Sequence, residues 1–196
     1  MGIEPEEILD DRQIEEHIRM AQEQIKDTLF TYHYDETIGN NPDTGNSWNG
    51  TNTKYQTFGY PVMDSNYDFT VDSNDITAKW LDTNYTEQIA SISVSSATYG
   101  IVTIYQSDGS TAIPSSAETV KVDYYSCHRN ISKQQLENLT TWLACDFVMH
   151  SLKAGTSVSA ADIMANKKII MQDPDQYMNK YQDLLNQLQD STIKGV

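Results

Sequence analysis

A chain of 196 residues can build a sizeable core without disulfide or metal staples. Hydrophobic residues make up 38% and charged residues 21%, so the polarity comes from uncharged Asn, Ser, Thr and Gln, and 12 tyrosines set the chain apart from a disordered acidic tail. With 28 acids against 13 bases, a formal charge of −15 and no apolar run of the ~18–20 residues needed to cross a bilayer, neither electrostatic nucleic-acid binding nor a membrane-spanning helix is expected.

The chain begins Met1-Gly2-Ile3-Glu4-Pro5-Glu6-Glu7, which is acidic and does not read as a secretory signal. Ile14, Ile18, Ala21, Ile25 and Leu29 then form one apolar stripe at helical period, predicting a helix over 11–31. Asp10 or Asp11 can cap its start, and Glu15 and Glu16 suit the positive end of its dipole. Gln13, Glu16, Glu23 and Asp27 make the opposite face polar.

Residues 35–66 read as a long polar loop, with turn residues from Ile38 to Asn46 and with Trp48, Tyr55, Phe58 and Tyr60 as anchors. Asn41, Asp43 and Gly45 have part of the spacing of a calcium loop, without its later acidic ligands or its distal bidentate Glu.

A β-rich block is expected from about Tyr67 to Tyr125. Alternation is read at Tyr67, Phe69 and Val71, at Ile92 and Val94, at Val102 and Ile104, and at Val120, Val122 and Tyr124. Turns fall at Asp72-Ser73-Asn74-Asp75 and Ser107-Asp108-Gly109-Ser110, the latter suited to a tight hairpin. The expectation is a small sheet or open barrel of four to six antiparallel strands.

Ser132-Lys133-Gln134-Gln135 is a capping box, with Ile131 and Leu136 placed for a hydrophobic staple. Leu136, Leu139, Leu143 and Phe147 continue it as the most apolar helix in the chain, widened by Trp142, Cys145, Val148, Met149 and Leu152 and ended by Gly155. Ser159-Ala160-Ala161-Asp162 looks like another cap, and Asp173-Pro174 opens a last helix striped by Tyr177, Tyr181, Leu184, Leu185 and Leu188. A short tail, 191–196, follows.

Chemical motifs are sparse. No Gly-rich phosphate loop, G-x-S-x-G elbow or H-E-x-x-H is present. The histidines are His17, His33, His128 and His150, and Asp146 with His150 forms an i, i+4 pair suited to a helix-face hydrogen bond. Cys127 and Cys145 are the only cysteines, so neither a disulfide framework nor a CxxC zinc site is expected. Asn49, Asn84, Asn130 and Asn138 are sequons, relevant only in a glycosylating setting. The residues therefore identify no enzyme and no catalytic residue, and neither a cofactor nor a metal is expected.

The order of elements carries a resemblance. An acidic N-terminal helix (1–34), a polar loop with a β-rich insertion (35–126), and C-terminal helices with a tail (127–196) follow one another. Val120-Lys121-Val122-Asp123-Tyr124-Tyr125 leads to the long helix Leu136 to Leu152, and Tyr177, Tyr181, Leu184, Leu185 and Leu188 mark the closing helix. This resembles the head–tail connector adaptor family of tailed viruses, bacteriophage or archaeal. The resemblance implies an α+β fold, a helical bundle with an inserted antiparallel β-rich domain. It further implies a structural virion protein of the neck, assembled in the host cytoplasm as a ring, commonly a dodecamer. The ring would sit between the portal protein and the next connector, stopper or tail protein. DNA would pass through its channel without specific binding, and no membrane would be involved.

Charge fits that picture: residues 1–40 sum to −8, residues 41–126 to −7 and residues 127–196 to zero, so most of the chain would repel a polyanion. The tail residues Ile193, Lys194, Gly195 and Val196 have too little apolar surface to hold themselves and are the expected partner-binding segment. Two other classes compete. One is a β-domain that recognises a glycan or host surface through Trp48 and Trp80. The other is a metal-assisted hydrolase built on Asp146 and His150.

Overall fold

The computed structural model describes residues 11–38, 48–68, 70–128, 131–155 and 175–193. The fold is α+β, and the chain divides into two compact units: Met1–Thr28 with Asn130–Val196, and Leu29–Arg129.

The first unit is helical, with α1 (Asp11–Leu29), α2 (Lys133–Gly155) and α3 (Asp175–Ile193). α1 ends two residues before the expected 31, because Phe30 already belongs to a strand. Its apolar stripe divides: Ala21 and Ile25 are buried, whereas Ile14 and Ile18 are 38% and 40% exposed. The expected capping box opens α2. Ser132 N–H donates to Gln135 Oε1 at 2.8 Å, and Gln135 N–H donates back to Ser132 Oγ at 3.3 Å, so two otherwise orphaned donors are satisfied. Leu139 and Leu143 are fully buried in α2, and Trp142 beside them is only half-buried.

α3 packs on α2 and buries Tyr181, Leu185 and Leu188. Burial pushes the Tyr181 phenol up, and hydrogen bonding to Thr28 and Gln24 of α1 opposes that shift. The expected end of the last helix at 190 moves outward, since α3 runs to Ile193. The Ser159 to Asp162 cap and Pro174 lie outside the described residues.

The second unit is a curled antiparallel sheet of six strands: β1 (Phe30–Ile38), β2 (Lys54–Gln56), β3 (Ile76–Leu81), β4 (Glu87–Ser96), β5 (Ile101–Gln106) and β6 (Thr119–Cys127). Their order across the sheet is β1-β6-β3-β4-β5-β2. Period-two alternation decides which face is inside. Val120, Val122 and Tyr124 of β6, Ile76 and Ala78 of β3, and Val102 and Ile104 of β5 are all buried. Register carries the same face across the sheet, pairing Ala78 with Val122 and Ala90, Ile92 with Ile104, and Val94 with Val102. Ile38, Tyr55, Val62, Ile113 and Ala117 complete this core, and burial pushes the Tyr55 phenol up to about 12.

Two expectations about this unit change. The strand read at Tyr67, Phe69 and Val71 is not formed. Asp64 Oδ1 accepts the Tyr67 N–H at 2.7 Å, Asn66 Oδ1 accepts that of Asp68 at 3.0 Å, and Asp68 Oδ1 accepts that of Thr70 at 2.9 Å. These local side-chain acceptors outcompete a sheet ladder, and Tyr67 sits at φ 64° (Phe69 lies outside the described residues). The second change concerns the expected loop 35–66, which contains the end of β1 and all of β2. Trp48 does anchor it, its indole N–H donating to Ala117 O at 2.9 Å, and Tyr55 is buried, while the Phe58 side chain is largely exposed and anchors nothing. Asn41, Asp43 and Gly45 lie outside the described residues.

The reversal expected at Asp108-Gly109 forms in the connection that follows β5, with Gly109 at φ 72° and Gln106 N–H donating to Thr111 O at 2.7 Å, whereas β5 and β6 themselves are not neighbours in the sheet. Asp108 Oδ1 accepts the N–H groups of Ser110 and Thr111 at 2.9 and 2.8 Å. A side-chain bond from the Thr111 hydroxyl, with these two, holds the Asp108 carboxyl down at about 2.

Candidate functional site

A polar cluster on the inner face of the sheet joins His33 and Glu36 of β1, Tyr124 and Ser126 of β6, and the connection after β2. Its geometry starts from a β-bulge. The β1–β6 register shifts between His33 and Glu36, where Asp35 takes φ 51°. Residues three apart on a regular strand face opposite sides, and one extra residue restores them to the same side. His33 thus pairs with Tyr124 and Glu36 with Val122, both inward-facing positions.

The bulged Asp35 turns outward. Its N–H donates to Asp123 Oδ1 at 2.6 Å, and its carboxylate pairs with Lys79 at 2.6 Å and Lys121 at 3.0 Å. The two lysines hold the Asp35 carboxyl below its ordinary range, and Asp35 in turn raises the Lys79 ammonium.

Inside, His33 Nδ1 lies 2.9 Å from Glu36 Oε2, and His33 Nε2 lies 2.7 Å from Ser126 Oγ. The His33 ring stacks on Tyr124 with centroids 4.5 Å apart. Tyr124 donates its hydroxyl to Glu36 Oε2 at 2.7 Å and accepts the Gly59 N–H at 2.7 Å. Phe58 N–H donates to Glu36 Oε1 at 2.8 Å. Burial, and then the bond to Glu36, pushes the Tyr124 phenol well up.

A serine hydroxyl, a histidine and a carboxylate in this order are the parts of a nucleophilic relay, with base and orienter within hydrogen-bond reach. A reacting carbon would need the space beside Ser126 Oγ. That space is filled: a Cβ on Gly59 would stand 2.7 Å from Ser126 Oγ and 2.4 Å from His33 Nε2. Ser126 itself is 6% exposed. In this arrangement the cluster works as a lock. It satisfies buried polar groups and ties the 57–61 connection to two strands.

The residues singled out from sequence do not converge here. Ile193 closes α3, and Lys194, Gly195 and Val196 lie outside the described residues. Asp146 and His150 do meet, with His150 Nδ1 at 2.9 Å from the Asp146 carbonyl and 3.3 Å from Oδ2. Asp146 is buried and its Oδ1 has no hydrogen-bond partner among the described residues, while His150 is largely exposed. No group of three potential metal ligands occurs among the described residues. Cys127 is buried, which pushes its thiol up to about 11, and burial also raises Cys145, so neither is poised as a thiolate. Sequence reasoning missed the cluster altogether: Ser126 lies 93 residues from His33, and only the fold joins them.

No family model matches the chain. No curated protein and no solved structure matches it either.

Proposed function

We propose that the chain is a structural virion protein, a head-to-tail connector adaptor. In this reading it forms a ring between the portal protein and the next connector or tail protein and continues the DNA channel. The carrying observation is the arrangement of the chain. Helices from both chain ends cluster in one unit, and residues 29–129 fold as a single inserted β-unit, the pattern of the family that the sequence resembles.

Two features support the reading. Ile14 and Ile18 expose apolar surface on α1, of the kind subunit contacts use. Head-to-tail contacts between identical subunits close into rings. The excess of 28 acids over 13 bases offers passing DNA no counterion release, so DNA would slide without sticking. Localisation in the neck of the particle follows from this role. The test is a virus stock grown without the protein. Filled heads that fail to join tails are expected, and infectious particles at normal yield would overturn the reading.

A further inference from the structure

The inner face of the β-unit changes character at one end. Register places Trp80 opposite Val120 and Gln88, and Gln106 opposite Ala90, so Trp80, Gln88 and Gln106 share the face that elsewhere carries Val, Ile and Ala. They border a cleft of about 360 Å³, lined by Trp80, Glu87, Gln88, Ile89, Gln106 and Ser107. That volume is at the lower end of small-molecule sites. Trp80 is partly buried, packed against the core and lining the cleft. Its indole N–H is buried and has no acceptor among the described residues.

The two amides are oriented. Gln88 Nε2 donates to Asp82 Oδ2 at 3.2 Å and Gln106 Nε2 to Ala112 O at 3.0 Å, which leaves each Oε1 as an acceptor. Glu87 is engaged by Lys79 at 3.2 Å, so the rim does not present a bare anion to a cation. An aromatic wall, two fixed amide acceptors and the Ser107 hydroxyl complement a ligand with an apolar face and a hydroxyl-bearing edge.

We propose that this cleft binds one ring of a neutral carbohydrate, the C–H face of the ring lying on Trp80 and its hydroxyls bonding to Gln88, Gln106 and Ser107. The site belongs to the β-unit alone and is independent of the connector reading. The ring belongs either to a free saccharide or to the terminus of a surface glycan.

The experiment is saturation-transfer NMR on the full chain with methyl α-D-glucoside, methyl α-D-mannoside and methyl β-D-galactoside, followed by the same sugars immobilised as glycan termini. Saturation transfer and a shift of the Trp80 indole resonance are expected. Binding should weaken at least tenfold in Trp80→Phe and Gln88→Leu, each first checked for an unchanged melting temperature. Response to free glycosides assigns a soluble saccharide, and response to immobilised termini alone assigns a surface glycan. Absence of binding in both formats overturns the proposal, and so does binding that leaves the wild-type Trp80 indole resonance unmoved. The indole readout needs no variant, so it decides the matter even where a substitution fails to fold.

Discussion

His33 and Glu36 lie three residues apart on one strand, yet both face inward, with 2.9 Å between Nδ1 and Oε2. The bulge at Asp35 makes this possible, and Lys79 and Lys121 hold the bulged residue from the outer face. One irregularity therefore serves both sides of the sheet. Outside it centres an ion-pair network, and inside it lets one carboxylate accept from a histidine, a tyrosine and a backbone N–H.

Gly59 closes this cluster, and the first prediction concerns it. Gly59→Ala should destabilise the β-unit by ~1–3 kcal/mol, because a methyl group must displace His33 and Ser126. Glu36→Ala should act in the same direction and raise amide exchange at Phe58, whose N–H loses its acceptor. Denaturant melts and hydrogen exchange measure both. Unchanged stability in Gly59→Ala would mean that the connection at 57–61 does not rest on the cluster.

In the helical unit the centre lies at Leu139 and Leu143, which are fully buried, rather than at the half-buried Trp142. Leu143→Ala should cost ~2–5 kcal/mol, and Trp142→Ala should fall below the ~3–5 kcal/mol of a core tryptophan. Equilibrium unfolding of the two variants side by side ranks them. The opposite ranking would count against this packing.

Acid should loosen the turn that follows β5. Asp108 has its carboxyl lowered to about 2 by the Thr111 hydroxyl and two backbone N–H groups. An unfolded Asp titrates near ~3.9, so the folded state favours the ionised form. This contribution is complete above that value and is lost as pH falls towards about 2. The stability difference between wild type and Asp108→Ala should therefore be constant above about pH 5 and shrink through this window. A difference that persists undiminished at the acid end would show that the carboxylate charge is not what matters.

The C-terminal residues are tested by shortening the chain. One truncation ends at Ile193, where α3 ends, and removes Lys194, Gly195 and Val196; a second ends at Asp190. Circular dichroism and melting temperature should barely move, while assembly onto the portal should weaken, more so in the shorter form. Normal yields of infectious particles from both would remove the tail from the docking account.

What could be read in the sequence follows physical range. Alternation at Val102 and Ile104, and at Val120, Val122 and Tyr124, predicted β5 and β6, because burial of one sheet face imprints period two locally. The capping box at Ser132 and Gln135 was equally legible, being a contact between residues three apart. Tyr67 to Val71 misled because a period-two pattern does not reveal that Asp64, Asn66 and Asp68 will capture nearby backbone N–H groups. The cluster of His33, Glu36 and Ser126 had no local signal. It depends on a bulge and on a pairing between residues 88 and more apart. The partial polarity of the inner face at Gln88 and Gln106 became visible only once register was known.

The central claim is the connector role, and electron microscopy tests it most directly. The chain would be mixed with the portal protein that the proposed reading requires, and the particles classified by end-on symmetry. The account predicts closed rings of this chain stacked coaxially on the portal around a continuous channel. A protein that stays monomeric beside unmodified portals, at concentrations well above those of assembly, would contradict it.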